Sequence, residues 1–259
     1  MNRDRTARIG IVLYDGVEPI DLGGTLGVIS MASRLLPGLS ATTIAEHAGP
    51  VLCAGGLTVL AAHGFADVPQ WDGPQRDGSR WDDTGTTLQD TARDAARIDG
   101  PGRDGIGGAA QDPTPDAACD VVVVTGGPGW AIQARNDAML AFLRRLDPAR
   151  LASVCTGALI LGAAGLLKGR PATTRRTAIG AEAAAPLTLL ARPGAQPRVA
   201  QIVDTGGPIT GGGVSLAHDL TLHLIGRLYG QDARDEVAGL IEYDRAFAAN
   251  QAALGIVVD

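Results

Sequence analysis

The 259-residue chain is 45% hydrophobic but only 3% aromatic, and its formal net charge is −6. An acidic chain with no Lys/Arg run gives no electrostatic support to a nucleic-acid partner. Three cysteines (Cys53, Cys119 and Cys155) without a CxxC pair exclude a disulfide framework and a zinc ribbon, and no apolar run is long enough to span a membrane.

At the amino end MNRDRTARIG passes straight into a strand pattern, so no signal peptide is expected and the chain reads as soluble and cytoplasmic. Residues 8–14 (RIGIVLY) predict a buried strand, and 22–36 a helix stopped by Pro37-Gly38. Residues 41–47 predict a second strand. Two short apolar runs in 51–60 flank Gly55-Gly56 and predict a hairpin. Residues 120–125 (DVVVVT) are apolar and β-branched throughout, as a central strand covered on both faces should be. A helix is predicted over 131–146, a short strand over 151–154, and helices over 156–167 and 176–190. Residues 199–204 and 208–210 read as paired strands around Gly206-Gly207, and helices over 214–229 and 232–243 follow. This alternation predicts one α/β domain over 1–259: a flavodoxin-like, doubly wound, mostly parallel sheet sandwiched by helices.

The stretch from about 70 to 118 breaks the pattern. It is rich in Gly, Asp, Arg, Pro and Thr and carries Trp71 and Trp81. By composition it reads as a disordered surface insertion. The sharper alternative is a lid that brings Trp71 or Trp81 to a substrate.

Three segments carry chemistry. Ser153-Val154-Cys155-Thr156-Gly157-Ala158 joins a short strand directly to a small-residue helix, the shape of a nucleophile elbow. At such a helix start the thiol pKa is expected to fall. A buried structural cysteine is the plainer reading, and Cys53 and Cys119 fit that reading better. Thr125-Gly126-Gly127-Pro128-Gly129 follows the central strand and either turns the chain or offers N–H groups to an anion. Asp21, in the first strand-to-helix connection, either caps a helix or reaches across the sheet edge to Cys155.

Taken together these pieces resemble the ThiJ/PfpI superfamily, with its class I glutamine amidotransferase-like fold, and within it the isocyanide hydratase-like branch. The matching stretches are IGIVLYDGVEPIDLGG, VVVVTGGPG, SVCTGALILGAAGLLKGRPATT and ITGGGVSLAHDLTL. The resemblance implies a homodimer with Cys155 as nucleophile, Thr156 beside it, Asp21 paired with the thiol, and the Gly126 and Gly127 N–H groups, followed by Pro128, near the reacting atom. The His that follows the cysteine in protease-like relatives is here Thr156, which disfavours a peptidase. His47, His63, His218 and His223 lie elsewhere, the last two on one late helix as packing or surface residues. The appended helix-turn-helix of AraC-type regulators is not expected. Where relatives continue ATT with His-Trp, this chain has Arg175-Arg176, which either bind an acidic substrate group or begin a surface helix.

The function expected is a cofactor-free, cysteine-dependent hydration of a small-molecule isocyanide to an N-substituted formamide, with no metal, nucleic acid or membrane involved. The alternatives are a related cysteine enzyme acting on an aldehyde, imine or other electrophile, and a redox or ligand sensor built on Cys155.

Overall fold

The computed structural model describes residues 5–69, 118–180 and 182–258. Apart from Ala118, the expected insertion, with Trp71 and Trp81, lies outside the described residues.

The first strand, β1 (Ala7–Val12), runs into a nearly continuous helical segment: α1 (Pro19–Leu22), a wide π turn (Gly23–Gly27) and α2 (Val28–Ala32). The wide turn lets Gly24 press against Ala217, where an added Cβ would lie 2.4 Å from the alanine's own. The strand β2 (Leu39–Ala45) follows, then the antiparallel hairpin β3 (Gly49–Leu52) and β4 (Thr58–Ala61), as Gly55-Gly56 predicts. A short β5 (His63–Gly64) and the central β6 (Val121–Val124) come next.

The predicted helix over 131–146 is two helices, α3 (Trp130–Gln133) and α4 (Asp137–Arg144). The break is Asn136, whose side chain accepts from the Ala138 and Met139 N–H groups and so starts a new helix. After it come β7 (Leu151–Ser153) and α5 (Gly157–Ala163).

Of the helix predicted over 176–190, only α6 (Pro186–Leu189) forms among the described residues, after the short β8 (Pro171–Ala172); residues 173–180 and 182–185 hold no helix. The alanines favour a helix locally, but Pro186 holds Ala185 extended (φ −62°, ψ 140°), so helix begins only at the proline. Arg175-Arg176 therefore do not start one.

The chain continues through β9 (Gln196–Pro197), the antiparallel pair β10 (Ile202–Asp204) and β11 (Ile209–Gly211), and the helices α7 (Ala217–Tyr229) and α8 (Gln231–Leu240). It ends in α9 (Asp244–Leu254) and β12 (Ile256–Val258), which the sequence reading does not contain.

Among the described residues eight strands form the main sheet, in the order β12-β10-β11-β7-β6-β1-β2-β5. All neighbours are parallel except β10 and β11. Ile9, Ile11, Val12, Val123 and Val124 are at most 1% exposed, because helices cover both faces. Doubly wound sheets gather their sites at the carboxyl edge. Here β11, β7, β6 and β1 lie side by side and parallel, so four connections meet at one place.

Candidate active site

Each of those four connections brings one part of a buried cluster. Asp21, fully buried, comes from α1 after β1; Gly126 and Gly127 follow β6; Cys155, 4% exposed, follows β7; Val214 follows β11. Asp21 does not cap α1. It is the third residue of that helix, and the cap position belongs to Glu18.

Cys155 sits at φ +53°, a left-handed conformation that costs a non-glycine residue about 1–2 kcal/mol. The surrounding backbone holds it there. Its N–H donates to the Gly212 carbonyl at 2.9 Å, and its own carbonyl accepts from the Thr174 hydroxyl. The start of α5 can pack this tightly only with glycine at 157, where a Cβ would lie 2.1 Å from the Val124 oxygen.

Asp21 and the thiol converge on Gly126. A Cβ on that glycine would fall 2.8 Å from both Asp21 Oδ2 and Cys155 Cβ, and 2.6 Å from the Thr156 nitrogen. The Gly126 N–H donates to Asp21 Oδ2 at 2.8 Å, and the Gly127 N–H donates to Thr156 Oγ1 at 2.9 Å. Both glycine N–H groups are thus engaged with the site's own side chains. The donors facing the sulfur are instead the N–H groups of Thr156 and Val214. Val214 lies within the ITGGGVSLAHDLTL stretch, and it too has a positive φ, +53°. The glycines at 212 and 213 before it are the signal that could have marked it. Asp21 Oδ1 is buried and has no hydrogen-bond partner among the described residues.

Electrostatically the pair is coupled. Burial pushes the Asp21 carboxyl up to about 7; the Gly126 N–H opposes this, and the neighbouring Glu18 adds to it. Burial, then the charge of Asp21, pushes the Cys155 thiol up to about 11, against the pull of the Val214 and Thr156 N–H groups. The fall expected at a helix start is therefore outweighed by desolvation and a like-charged neighbour. The pair loses its first proton near neutrality, and that proton belongs to both groups.

The remaining predicted residues divide. Arg175 is buried, and its charge lowers the pKa of both Asp21 and Cys155. Its guanidinium pairs with Glu182 and donates to the Thr177 carbonyl, so it is not open to a substrate acid. Arg176 and Pro128 are exposed and lie outside the cluster. His218 stacks on Tyr243 and His223 bonds Asp204 at 2.7 Å, in agreement with packing roles. Among the described residues no cluster of His, Cys, Asp and Glu is suited to hold a metal, and no helix is long and apolar enough to cross a membrane.

Residues 108–226 match the DJ-1/PfpI family. A ThiJ/PfpI family protein of Pseudomonas syringae shares the fold with a TM-score of 0.64 and 25% identity, over 93% of this chain and 76% of that one. The chain thus has the fold of the ThiJ/PfpI proteins, and just under half of its length resembles the DJ-1/PfpI family. DJ-1β of Drosophila melanogaster has the same fold at 17% identity (TM-score 0.59), covering 92% of this chain and 98% of the other. In sequence, the chain is 39% identical over 126 residues to the isonitrile hydratase of Pseudomonas putida. That alignment takes in 48% of this chain and 52% of the hydratase, so it spans about half the length of that relative.

Proposed function

We propose that the chain is a cysteine-dependent isocyanide hydratase that needs no cofactor. The observation that carries this reading is the buried Asp21–Cys155 pair around Gly126, in a chain similar over about half its length to an isonitrile hydratase. An acid near 7 beside a thiol suits a reaction that must give a proton and take one back at the same pH.

The steps balance as follows. Cys155, as thiolate, attacks the terminal carbon of the isocyanide while protonated Asp21 gives its proton to that carbon, forming a thioimidate. Asp21, now a carboxylate, takes a proton from water as the water oxygen adds to the same carbon. It passes that proton to nitrogen. The C–S bond then breaks, the hydroxyl proton returns to Asp21, and an N-substituted formamide leaves. The Thr156 and Val214 N–H groups stabilise the sulfur anion at both ends of the cycle. The Thr156 hydroxyl, bonded to Gly127, holds the glycine loop against the pair.

Formamide formation from a simple aliphatic or aromatic isocyanide, with wild type beside Cys155→Ala, tests the scheme. Turnover lost in the variant is expected; full turnover without the thiol would overturn it. Engagement of Arg175 with Glu182 removes one expected substrate anchor and favours, as second reading, a neutral electrophile of another class handled by the same pair. A panel of aldehydes and imines separates the two. Mild peroxide with intact-mass analysis tests the sensor reading, and no oxidation at Cys155 would count against it. The homodimer belongs to the same proposal. Leu52, Leu57 and Leu60 on the β3–β4 hairpin expose apolar surface for it, and light scattering of the purified chain tests it.

A further inference from the structure

One buried side chain near the pair has no part in the steps above. Tyr14, 4% exposed, follows β1, and its hydroxyl donates to the Thr125 carbonyl at 2.9 Å. That carbonyl belongs to the same peptide group as the Gly126 N–H, which donates to Asp21 Oδ2 at 2.8 Å. The hydroxyl and the carboxylate are thus joined through one amide: O–H to C=O, then N–H to carboxylate. Thr125 Oγ1, donating to the Val12 carbonyl at 2.6 Å, pins the amide from the side. All these groups are buried, where hydrogen bonds in series polarise one another.

We propose that Tyr14 is a positioning residue that sets the strength of the Gly126–Asp21 hydrogen bond through the Thr125–Gly126 peptide, and thereby the acidity of the catalytic acid. A donor on the carbonyl draws electrons from the amide and makes its N–H a stronger donor. A stronger N–H favours the carboxylate over the neutral acid. Removing the hydroxyl raises the pH at which Asp21 ionises. The other groups that bear on Asp21 are Glu18 on its own segment, Cys155 from the β7 connection and Arg175 from the β8 connection. On α7, which packs on the π turn, His218 faces the Ser215 carbonyl, and Asp219 is bonded to Gln201, Tyr243 and Asn250.

The inference rests on Asp21 and Cys155 titrating as a pair, and its test does not need the hydratase reaction. The rate of Cys155 alkylation by iodoacetamide is followed against pH in wild type, Asp21→Asn and Tyr14→Phe. Asp21→Asn should abolish the limb near neutrality. Tyr14→Phe, which keeps the ring, should move that limb upward by roughly 0.2–0.5 pH unit, a 10–30% loss from one charge-assisted bond. The Gly126 amide proton should move upfield while the Gly127 amide, bonded to Thr156, stays in place. A fluorinated tyrosine at position 14 is a better donor, so it should move the limb the opposite way. That sign reversal also guards against a folding defect in the phenylalanine variant. Tyr14 variants with the wild-type limb and Gly126 shift, beside an intact Asp21→Asn effect, would overturn the proposal alone. An Asp21→Asn variant that keeps the limb would overturn the pair and the relay together.

Discussion

Asp21 and Cys155 stand on either side of Gly126, so close to it that the glycine has no room for a side chain. Carboxyl and thiol are 134 positions apart in sequence, and a backbone segment rather than a side chain keeps their spacing. Gly126→Ala should push the two groups apart. We expect a cost of roughly 1–3 kcal/mol in stability and at least a hundredfold loss of turnover. Denaturant unfolding and steady-state kinetics read the two effects separately.

Asp21→Asn should lower formamide production by roughly 10²–10⁴-fold, the usual worth of a positioned acid–base group. Its effect on stability has a definite pH sign. A carboxyl raised from 3.8 to about 7 in the folded state is tolerated while protonated. Its stabilising protonated form is fully present below the unfolded value and is lost as pH rises through about 7. Wild type should therefore lose about 2–4 kcal/mol relative to the asparagine variant between pH 4 and 8. Urea melts across that range measure it, and parallel curves would refute it.

The strain at Cys155 can be read by removing it. Alanine and glycine both delete the thiol, but only glycine is at ease at φ +53°. We expect Cys155→Gly to be more stable than Cys155→Ala by about 1 kcal/mol, reversing the usual order of the two residues. An alanine variant as stable as the glycine one would mean that the elbow stores no strain.

Arg175 holds both members of the pair at lower pKa from its seat beside Glu182. Arg175→Met should move the alkylation limb of Cys155 upward by roughly half a pH unit. Arg176→Ala, at the exposed neighbouring position, should leave it unmoved. Equal shifts in the two variants would remove Arg175 from the electrostatics of the site.

Pro69 and Ala118 line one small cavity near the start of β6, at the amino edge of the sheet. Cys155 lies at the carboxyl edge, beyond the far end of the parallel neighbour β7. Replacing residues 70–117 by a short Gly-Ser linker should leave kcat/KM for an isocyanide within about twofold of wild type. A larger drop would assign the segment a part in the reaction.

Much of this arrangement was legible in the sequence, because strand signals are strong when strands are covered on both faces. DVVVVT and RIGIVLY identify β6 and β1, and the elbow around Cys155 follows from a short strand meeting small residues. Asp21 was legible as a candidate. What escaped depends on contacts between distant segments. The Ala-rich stretch before Pro186 favours a helix until the proline is weighed, and β12 is three residues that gain meaning only beside β10. The Val214 side chain gives no chemical signal, since the residue acts through its N–H, and only the glycines before it mark the place. The direction of the Cys155 shift also escaped, because a helix start is visible in sequence and the depth of burial is not.

The order of the strands has a consequence for how the pair comes into being. β1, β2 and β5, from the first half of the chain, form one flank of the sheet, and the later strands form the other. Within the sheet, among the described residues, the two flanks meet where β1 pairs with β6, and Asp21 lies on one side of that seam with Cys155 on the other. The 70–117 segment falls where the chain passes from one flank to the other. Cut there, each fragment would carry half of the chemistry and neither would react alone. Chemical competence would then report the docking of two half-proteins, and the seam could serve as a ready-made join for fragment complementation.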